Sequence, residues 1–426
     1  MKNNLTVGFF GLTHLGTCSS IAAAMKNINV IACETNSEIY DKRKSGIFDK
    51  AEPGVDNFLK KPNSFFKLTN EIQELQNCDL IYVSIDAPVN ILGEVDVTPV
   101  KDYYFKLIEI IPESIPIIIL SQVNPGFTRQ LESQRKNTYY QMETLIFGQG
   151  IERALSPERY VLGSADKEIP DSIRNFLSID NCELFIFSYE SAELSKLAAN
   201  FFLASTITAT NTLSELATKL GADWNDIAGA LKMDKRIGKY AYLKPGLGIG
   251  GSNIIRDLVG LKKLASHYAT ESSVIDSMVI NSNYMLKWIS RTFSNSLTKL
   301  PNRNINIGLL GLSYKKDTDS IIRSSGLDFL KNFSKKFRFN VFDPVVTKIN
   351  DLPDSITWNS NYRDVIEVSD ILIIATPWDE FQTSNFIQAI EYSKIKILID
   401  PYGCVNALPS PTQNISHIVL GKGGSI

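Results

Sequence analysis

The chain is poor in cysteine, contains no long apolar run and carries no excess of charge of either sign. Its five cysteines, Cys18, Cys33, Cys78, Cys182 and Cys404, are scattered without paired spacing. Neither a disulfide framework nor a zinc site is therefore expected, and no metal is assigned. The 44 basic side chains are matched by 46 acidic ones, which removes the electrostatic reason to expect a nucleic-acid or anionic-membrane partner. The longest apolar run, Ile117 to Leu120, is strand-sized and far below the roughly 20 residues of a membrane span. Met1 to Leu12 holds a single lysine and an apolar segment that runs straight into glycines, as a first β-strand does and a signal peptide does not. With 426 residues, 44% of them apolar and 21% charged, the expectation is a cytoplasmic protein of two or three domains.

What is present is an alternation of strand and helix patterns. Leu5–Phe10, Val30–Cys33, Asp79–Ile85 and Ile117–Leu120 read as buried strands, with a helix over Gly16–Lys26. Continuous apolar runs separated by helices indicate a parallel sheet covered on both faces. From Ser191 to about Ser294 the texture becomes helical, interrupted by the glycine-dense loop Lys244-Pro-Gly-Leu-Gly-Ile-Gly-Gly-Ser252. Strand patterns resume at Ile305–Leu310, Phe339–Phe342, Asp370–Ala375 and Lys396–Asp400, and Gly421–Ile426 reads as a frayed tail. The expected fold class is α/β, with two Rossmann-like units flanking a helical one, over residues 1–190, 191–300 and 301–426.

Three patterns carry chemistry. The first strand ends in Gly8-Phe-Phe-Gly11-Leu-Thr13-His-Leu-Gly16, a dinucleotide turn with both outer glycines and Thr13 in the middle position. Glu34 closes the next strand about 20 residues on, where a carboxylate bonds ribose hydroxyls and repels a 2′-phosphate, favouring NAD over NADP. A nucleotide-free α/β turn is the competing reading. Second, Lys196 and Asn200 share a helix face, where an ammonium can stabilise an alkoxide and an amide can orient the same oxygen. The apolar neighbours Leu194, Leu197, Ala198, Ala199 and Phe201 suggest that this segment is substantially buried. Third, the loop Gly246-Leu-Gly-Ile-Gly-Gly-Ser-Asn253 permits close backbone approach to a ligand, with a flexible hinge as the alternative.

Taken with further motifs, these residues resemble the UDP-glucose / UDP-N-acetylmannosamine / GDP-mannose dehydrogenase family. The resemblance is carried in order by Ala192-Glu-Leu-Ser-Lys196-Leu-Ala-Ala-Asn200, Asp234-Lys-Arg236-Ile-Gly238, Gly250-Gly-Ser252 and Gly311-Leu-Ser-Tyr-Lys315-Lys-Asp-Thr318. Glu52-Pro-Gly54, Gly93-Glu94, Ser156-Pro-Glu158-Arg159, Asp343-Pro344 and Ala375-Thr-Pro-Trp-Asp-Glu-Phe381 add to it. The family implies an N-terminal Rossmann-like domain for NAD, a central helical domain that forms a homodimer and a C-terminal domain for a nucleotide sugar, most readily a UDP-sugar. Its members oxidise a sugar alcohol to a carboxylate in two hydride transfers, and polysaccharide or capsule synthesis is the implied setting. By motif position, Lys196, Asn200 and Asp257 assist alcohol oxidation, and Glu158 is the candidate acid/base. Gly11, Thr13, His14, Leu15, Gly16, Glu34, Ala87, Pro88 and Gln122 would contact NAD. Arg236, Tyr242, Gly248, Gly250, Gly251 and Lys315 would contact the nucleotide sugar, Arg236 across the dimer.

The departures fall at chemically committed positions. Where the family has a nucleophilic cysteine after Gly-Gly-Ser, this chain has Asn253, and an amide cannot form a thiohemiacetal or thioester. The family's Ser-Thr-Val-Pro segment is here Ser121-Gln-Val-Asn124, the arginine after Asp-Thr is Ile322 beside Arg323, and Asp-x-Arg-Asn becomes Asp400-Pro-Tyr-Gly403. Three readings follow. The favoured one is an NAD-dependent enzyme performing a single two-electron oxidation. The second is a four-electron dehydrogenase with a cysteine-independent route. The third is a non-catalytic nucleotide-sugar or NAD-binding protein.

Overall fold

The computed structural model describes residues 5–50, 52–61, 63–88, 95–298, 305–350, 352–353, 355–405 and 415–423. Gly93-Glu94, and the expected boundary at residue 300, lie outside the described residues. The chain divides into two compact units, residues 1–199 with 259–261, and 200–258 with 262–426.

The first unit is built on an eight-stranded sheet. Its strands are β1 (Thr6–Phe10), β2 (Asn29–Cys33), β3 (Phe66–Thr69), β4 (Leu80–Val83), β5 (Ile117–Ile119), β6 (Thr138–Gln141), β7 (Arg159–Gly163) and β8 (Glu183–Phe187). Their order is β3-β2-β1-β4-β5-β6-β7-β8, parallel except where β6 meets β7. Strand order reverses between β1 and β4, which opens a crevice at the carboxyl ends of these strands, where ligands bind in doubly wound sheets. The central strands are buried on both faces: Leu80, Ile81 and Val83 of β4 and all of β5 are solvent-free. The helix His14–Met25 crosses one face.

The second unit repeats the design. β9 (Asn306–Leu310), β10 (Arg338–Phe342), β11 (Ile356–Trp358), β12 (Ile371–Ile374), β13 (Ile397–Ile399) and β14 (Ser416–Ile418) form an all-parallel sheet in the order β11-β10-β9-β12-β13-β14. Its core centres on Phe293, Phe329, Phe339, Ile373 and Ile399. The same unit holds the helices Trp224–Met233, Ser273–Leu286 and Trp288–Leu297, and the helix Asn253–His267 except for residues 259–261. A 32-residue helix, Tyr189–Leu220, begins in the first unit and ends in the second.

Two expectations are corrected. The burial of the Lys196 segment is one-sided: of the five apolar neighbours, Leu197 is buried, Ala198, Ala199 and Phe201 are partly buried, and Leu194 is exposed. The terminal segment is not frayed through Gly423. The Gly421 carbonyl accepts from Trp224 N–H at 2.7 Å, and Gly423 N–H donates to the Ala222 carbonyl at 2.8 Å, fastening the segment to the turn between two helices. Among the described residues, no helix is long and apolar enough to cross a membrane.

Candidate active site

In the first unit, the turn after β1 has the backbone a dinucleotide requires. Gly11 sits at φ +96°, and a Cβ there would lie 2.0 Å from Ile85. At Gly16 a Cβ would meet the Gly11 carbonyl at 1.9 Å, so helix and turn touch only because that residue is bare. Glu34 is fully buried, accepting from Leu12 N–H at 2.8 Å, Asn36 N–H at 2.8 Å and Tyr103 O–H at 2.7 Å. Ala87 and Pro88 follow β4, and Gln122 follows β5, on the rim of the crevice. His14 and Leu15 are buried rather than presented on that rim. The His14 ring bonds Glu52 at 2.7 Å, and Glu52 also accepts from Gly148 and Gly150 N–H at 3.0 and 2.6 Å. Burial pushes the Glu52 carboxyl up, but these hydrogen bonds outweigh it and hold the group below the ordinary value. Among the described residues, His14, Cys18 and Glu52 form the one set of donors close enough to share a cation, and Glu52 is already satisfied within it.

Further along the same unit, the Lys196 ammonium meets Glu143. Nζ lies 2.5 Å from Oε1 and 3.2 Å from the backbone carbonyl, with both side chains about an eighth exposed. Glu143 went unrecognised in the sequence. The signal was a carboxylate placed just past the end of β6, at the carboxyl edge of the sheet. Glu158, expected at the reaction centre, instead precedes β7 with 63% of its side chain exposed, bonded to Arg153 at 2.8 Å and Arg159 at 3.5 Å. Those guanidiniums, Arg153 first, hold its carboxyl below the ordinary range. Lys196 therefore takes its carboxylate partner from a different strand end. Glu193, one turn before Lys196, is buried and accepts from Gly126 and Thr128 N–H, fixing the segment that follows Gln122. Burial pushes its carboxyl up to about 6.

In the second unit, the Asn200 side-chain amide donates to Asp257. Asp257 is almost fully buried and also accepts from Arg256 Nε at 2.8 Å. Asn253 is the first residue of the helix Asn253–His267 and is exposed. None of the five cysteines offers a substitute thiolate: burial pushes Cys33 and Cys78 up to about 12 and Cys18 and Cys404 higher still, and burial, with Asp180, raises Cys182 as well.

The glycine loop is neither slack nor a hinge. Gly251 N–H donates to the Ile322 carbonyl, Ile249 N–H to Ser282 Oγ and Gly246 N–H to Asn211, each at 2.9 Å. Arg323 locks the loop from the side, bonding the Ile249 carbonyl at 3.0 Å and Asn283 at 2.9 Å, so it is committed to structure. A Cβ on Gly250 or Gly251 would lie 2.8 or 2.9 Å from the Tyr314 ring, and Gly248 lies equally tight against Ser282. The absence of side chains there is thus used by Tyr314. Lys315, the next residue, carries its ammonium 5.8 Å from that ring's centroid. Arg236 is exposed and braced by Asp234, with Nε 3.0 Å from the carboxylate, while Tyr242 is half exposed.

Residues 5–176, 190–284 and 308–407 match, in turn, the NAD binding, central and UDP binding domains of the UDP-glucose/GDP-mannose dehydrogenase family. The chain belongs to that family. It is accordingly an NAD-dependent oxidoreductase acting on a CH–OH group, with a nucleotide sugar as substrate. It is 28% identical to a UDP-glucose 6-dehydrogenase of Rickettsia conorii over 416 residues, covering 93% of this chain and 94% of that protein. A putative UDP-glucose 6-dehydrogenase of Bacillus subtilis, YtcA, is 25% identical over 92% and 93% of the two chains. Two solved structures share the fold at 21% identity and a TM-score of 0.79. They are a UDP-glucose dehydrogenase from Pyrobaculum islandicum, with 94% of this chain and 98% of that one covered, and a UDP-D-ManNAc dehydrogenase from Pyrococcus horikoshii, with 99% and 100% covered.

Proposed function

We propose that this family member carries out a single two-electron oxidation of a UDP-sugar alcohol and releases an aldehyde or ketone. The observation that carries the proposal is Asn253, an amide at the position where the family chemistry requires a thiolate. Hydride transfer itself needs no thiolate. NAD, when bound, supplies the hydride acceptor. The Gly11–Gly16 turn fits such a dinucleotide, with Thr13, His14, Leu15, Glu34, Ala87, Pro88 and Gln122 around it, and the buried Glu34 carboxylate disfavours a 2′-phosphate.

In this reading, the chain's side chains handle the proton. As the C–H electrons leave, the alcohol oxygen becomes a carbonyl and its proton must go to a base. Lys196 stabilises the developing alkoxide, and Glu143, within hydrogen-bond reach of that ammonium, accepts the proton. We assign the acceptor role to Glu143 rather than Glu158, because two arginines hold Glu158 in its charged, weakly basic form. Asn200, whose amide donates to Asp257, is assigned to orienting the substrate alcohol. The loop at Gly248–Gly251, Tyr242, Lys315 and Arg236 hold the nucleotide sugar, Arg236 from the other subunit of a homodimer. The dimer is supported by the apolar side chains that the helices of the second unit leave exposed, among them Phe202, Leu220 and Met233. The working domain division is near residues 190 and 300. Five free thiols suit a cytoplasmic enzyme, and surface-polysaccharide synthesis is the setting.

The test is stoichiometric. Purified protein is incubated with NAD and a panel of UDP-, GDP- and CDP-sugars, and NADH formed per sugar consumed is counted. One equivalent is expected. Two equivalents with an acid product sink the proposal in favour of oxidation of the aldehyde hydrate. Asn253→Cys, in turn, should yield an acid product or a trapped covalent adduct.

A further inference from the structure

The crevice at the end of β1 contains an anion of the chain's own. Helix N-termini leave backbone N–H groups unpaired, and in a dinucleotide turn those groups receive the pyrophosphate. Here the helix His14–Met25 has its first N–H groups already engaged. Asp86 Oδ2 accepts from His14 N–H at 2.9 Å and from Leu15 N–H at 3.4 Å. Asp86 comes from the opposite lip of the crevice, just past β4, the strand beside β1 at the point where strand order reverses. The bond runs both ways: Asp86 N–H donates to Thr13 Oγ1 at 2.7 Å. Thr13 stands at the N-cap yet its side chain does not cap the helix, because it is turned to Asp86. A further donor of the turn, Leu12 N–H, is taken by Glu34.

We propose that Asp86 is a built-in stand-in for the dinucleotide pyrophosphate, which NAD must displace in order to bind. Three features act together. The carboxylate uses the very N–H groups the pyrophosphate needs, and its charge repels the incoming phosphates at close range. Thr13, in place of a glycine, supplies the acceptor that holds Asp86 there. A ligand that binds only when the seat is vacated has its affinity lowered by the fraction of molecules in which it is vacant. Asp86 is itself solvent-exposed, so its side chain can swing outward without disturbing the core. The turn keeps Gly11 and Gly16 in the geometry a dinucleotide requires, and displacement restores the seat without remaking the fold.

The inference rests on NAD being the cofactor, and the experiment separates the two. NAD and ADP-ribose are titrated calorimetrically against wild type, Asp86→Ala and Asp86→Asn, with UDP titrated as a control for the other unit. Asp86→Asn keeps an acceptor for His14 N–H and so guards against simple unfolding of the helix end. Dissociation constants for NAD and ADP-ribose should fall about tenfold in Asp86→Ala and by less in Asp86→Asn, the range expected from removing one charge beside a diphosphate. UDP binding should be unmoved. Unchanged or weaker NAD binding in both variants overturns the proposal and identifies Asp86 as an ordinary helix cap or as an NAD ligand. No NAD binding by any of the three proteins at millimolar concentration overturns the cofactor assignment along with it.

Discussion

A lysine on a helix gains a chemical role only from what it faces, and Lys196 faces Glu143. Few alternatives exist for the pair, since both groups are largely withdrawn from solvent and each neutralises the other. Lys196→Ala should abolish NADH formation, because it removes the alkoxide's counter-charge and leaves Glu143 unpaired. Glu143→Gln keeps the shape and a hydrogen-bond acceptor but removes the base, and should lower turnover by about 10²–10⁴-fold. NAD and UDP affinities should be retained in that variant. The decisive comparison is with Glu158→Gln, which should retain turnover to within a few-fold. If Glu158→Gln loses turnover and Glu143→Gln does not, the assignment of the two carboxylates is reversed.

At the scale of elements, the glycine loop shows how a motif can have two claimants. Its density of glycine reads as room for a ligand, yet Tyr314 already fills the space at Gly250 and Gly251. Gly251→Ala introduces a Cβ 2.9 Å from that ring at φ +69°, and should destabilise the second unit by about 1–3 kcal/mol in urea unfolding. Combining it with Tyr314→Ala should recover the steric part of that loss but not the backbone part. A neutral Gly251→Ala would mean that the loop can shift away from Tyr314. Most elements legible in the sequence were those whose burial is two-sided: β1, β2, β4, β5, β9, β12 and β13 are near-continuous apolar runs, while β10 was read from Phe339, Val341 and Phe342 although it alternates with Arg338 and Asn340. Strands β3, β6, β7, β8, β11 and β14 were not legible. Most of these are short or lie on the outer part of a sheet, and residues such as Lys67, Glu183 and Thr357 interrupt their apolar character. That gap concealed Glu143, which is defined by the end of β6. Asp86 was hidden for a different reason: β1 and β4 were both legible, but its partners lie about 70 residues away and are brought opposite it by sheet order rather than by any local pattern. Glu34, by contrast, was legible because it closes the second strand of its sheet, and Asp343, quoted only as part of the resemblance, stands at the same place in the other sheet. Asp343 takes Leu312 N–H at 2.7 Å as Glu34 takes Leu12 N–H at 2.8 Å.

At the scale of the whole molecule, the chain is two similar sheets assigned different ligands, and its tryptophans distinguish them. All four, Trp224, Trp288, Trp358 and Trp378, belong to the second unit, and three of them are buried. Intrinsic tryptophan fluorescence therefore reports the unfolding of that unit alone, while calorimetry reports both. A ligand that binds a folded unit stabilises it by about 2.7 kcal/mol at a hundred times its dissociation constant. For a unit of this size, that corresponds to roughly 5–10 °C in Tm. UDP, matched to residues 308–407, should raise the fluorescence-detected Tm by that amount, whereas ADP-ribose should act first on the unit that fluorescence does not see. A UDP shift present in calorimetry but missing from the tryptophan signal would assign the nucleotide to the first sheet. It would also mean that the near-identical strand order of the two sheets, rather than the residues at their switch points, had decided the assignment.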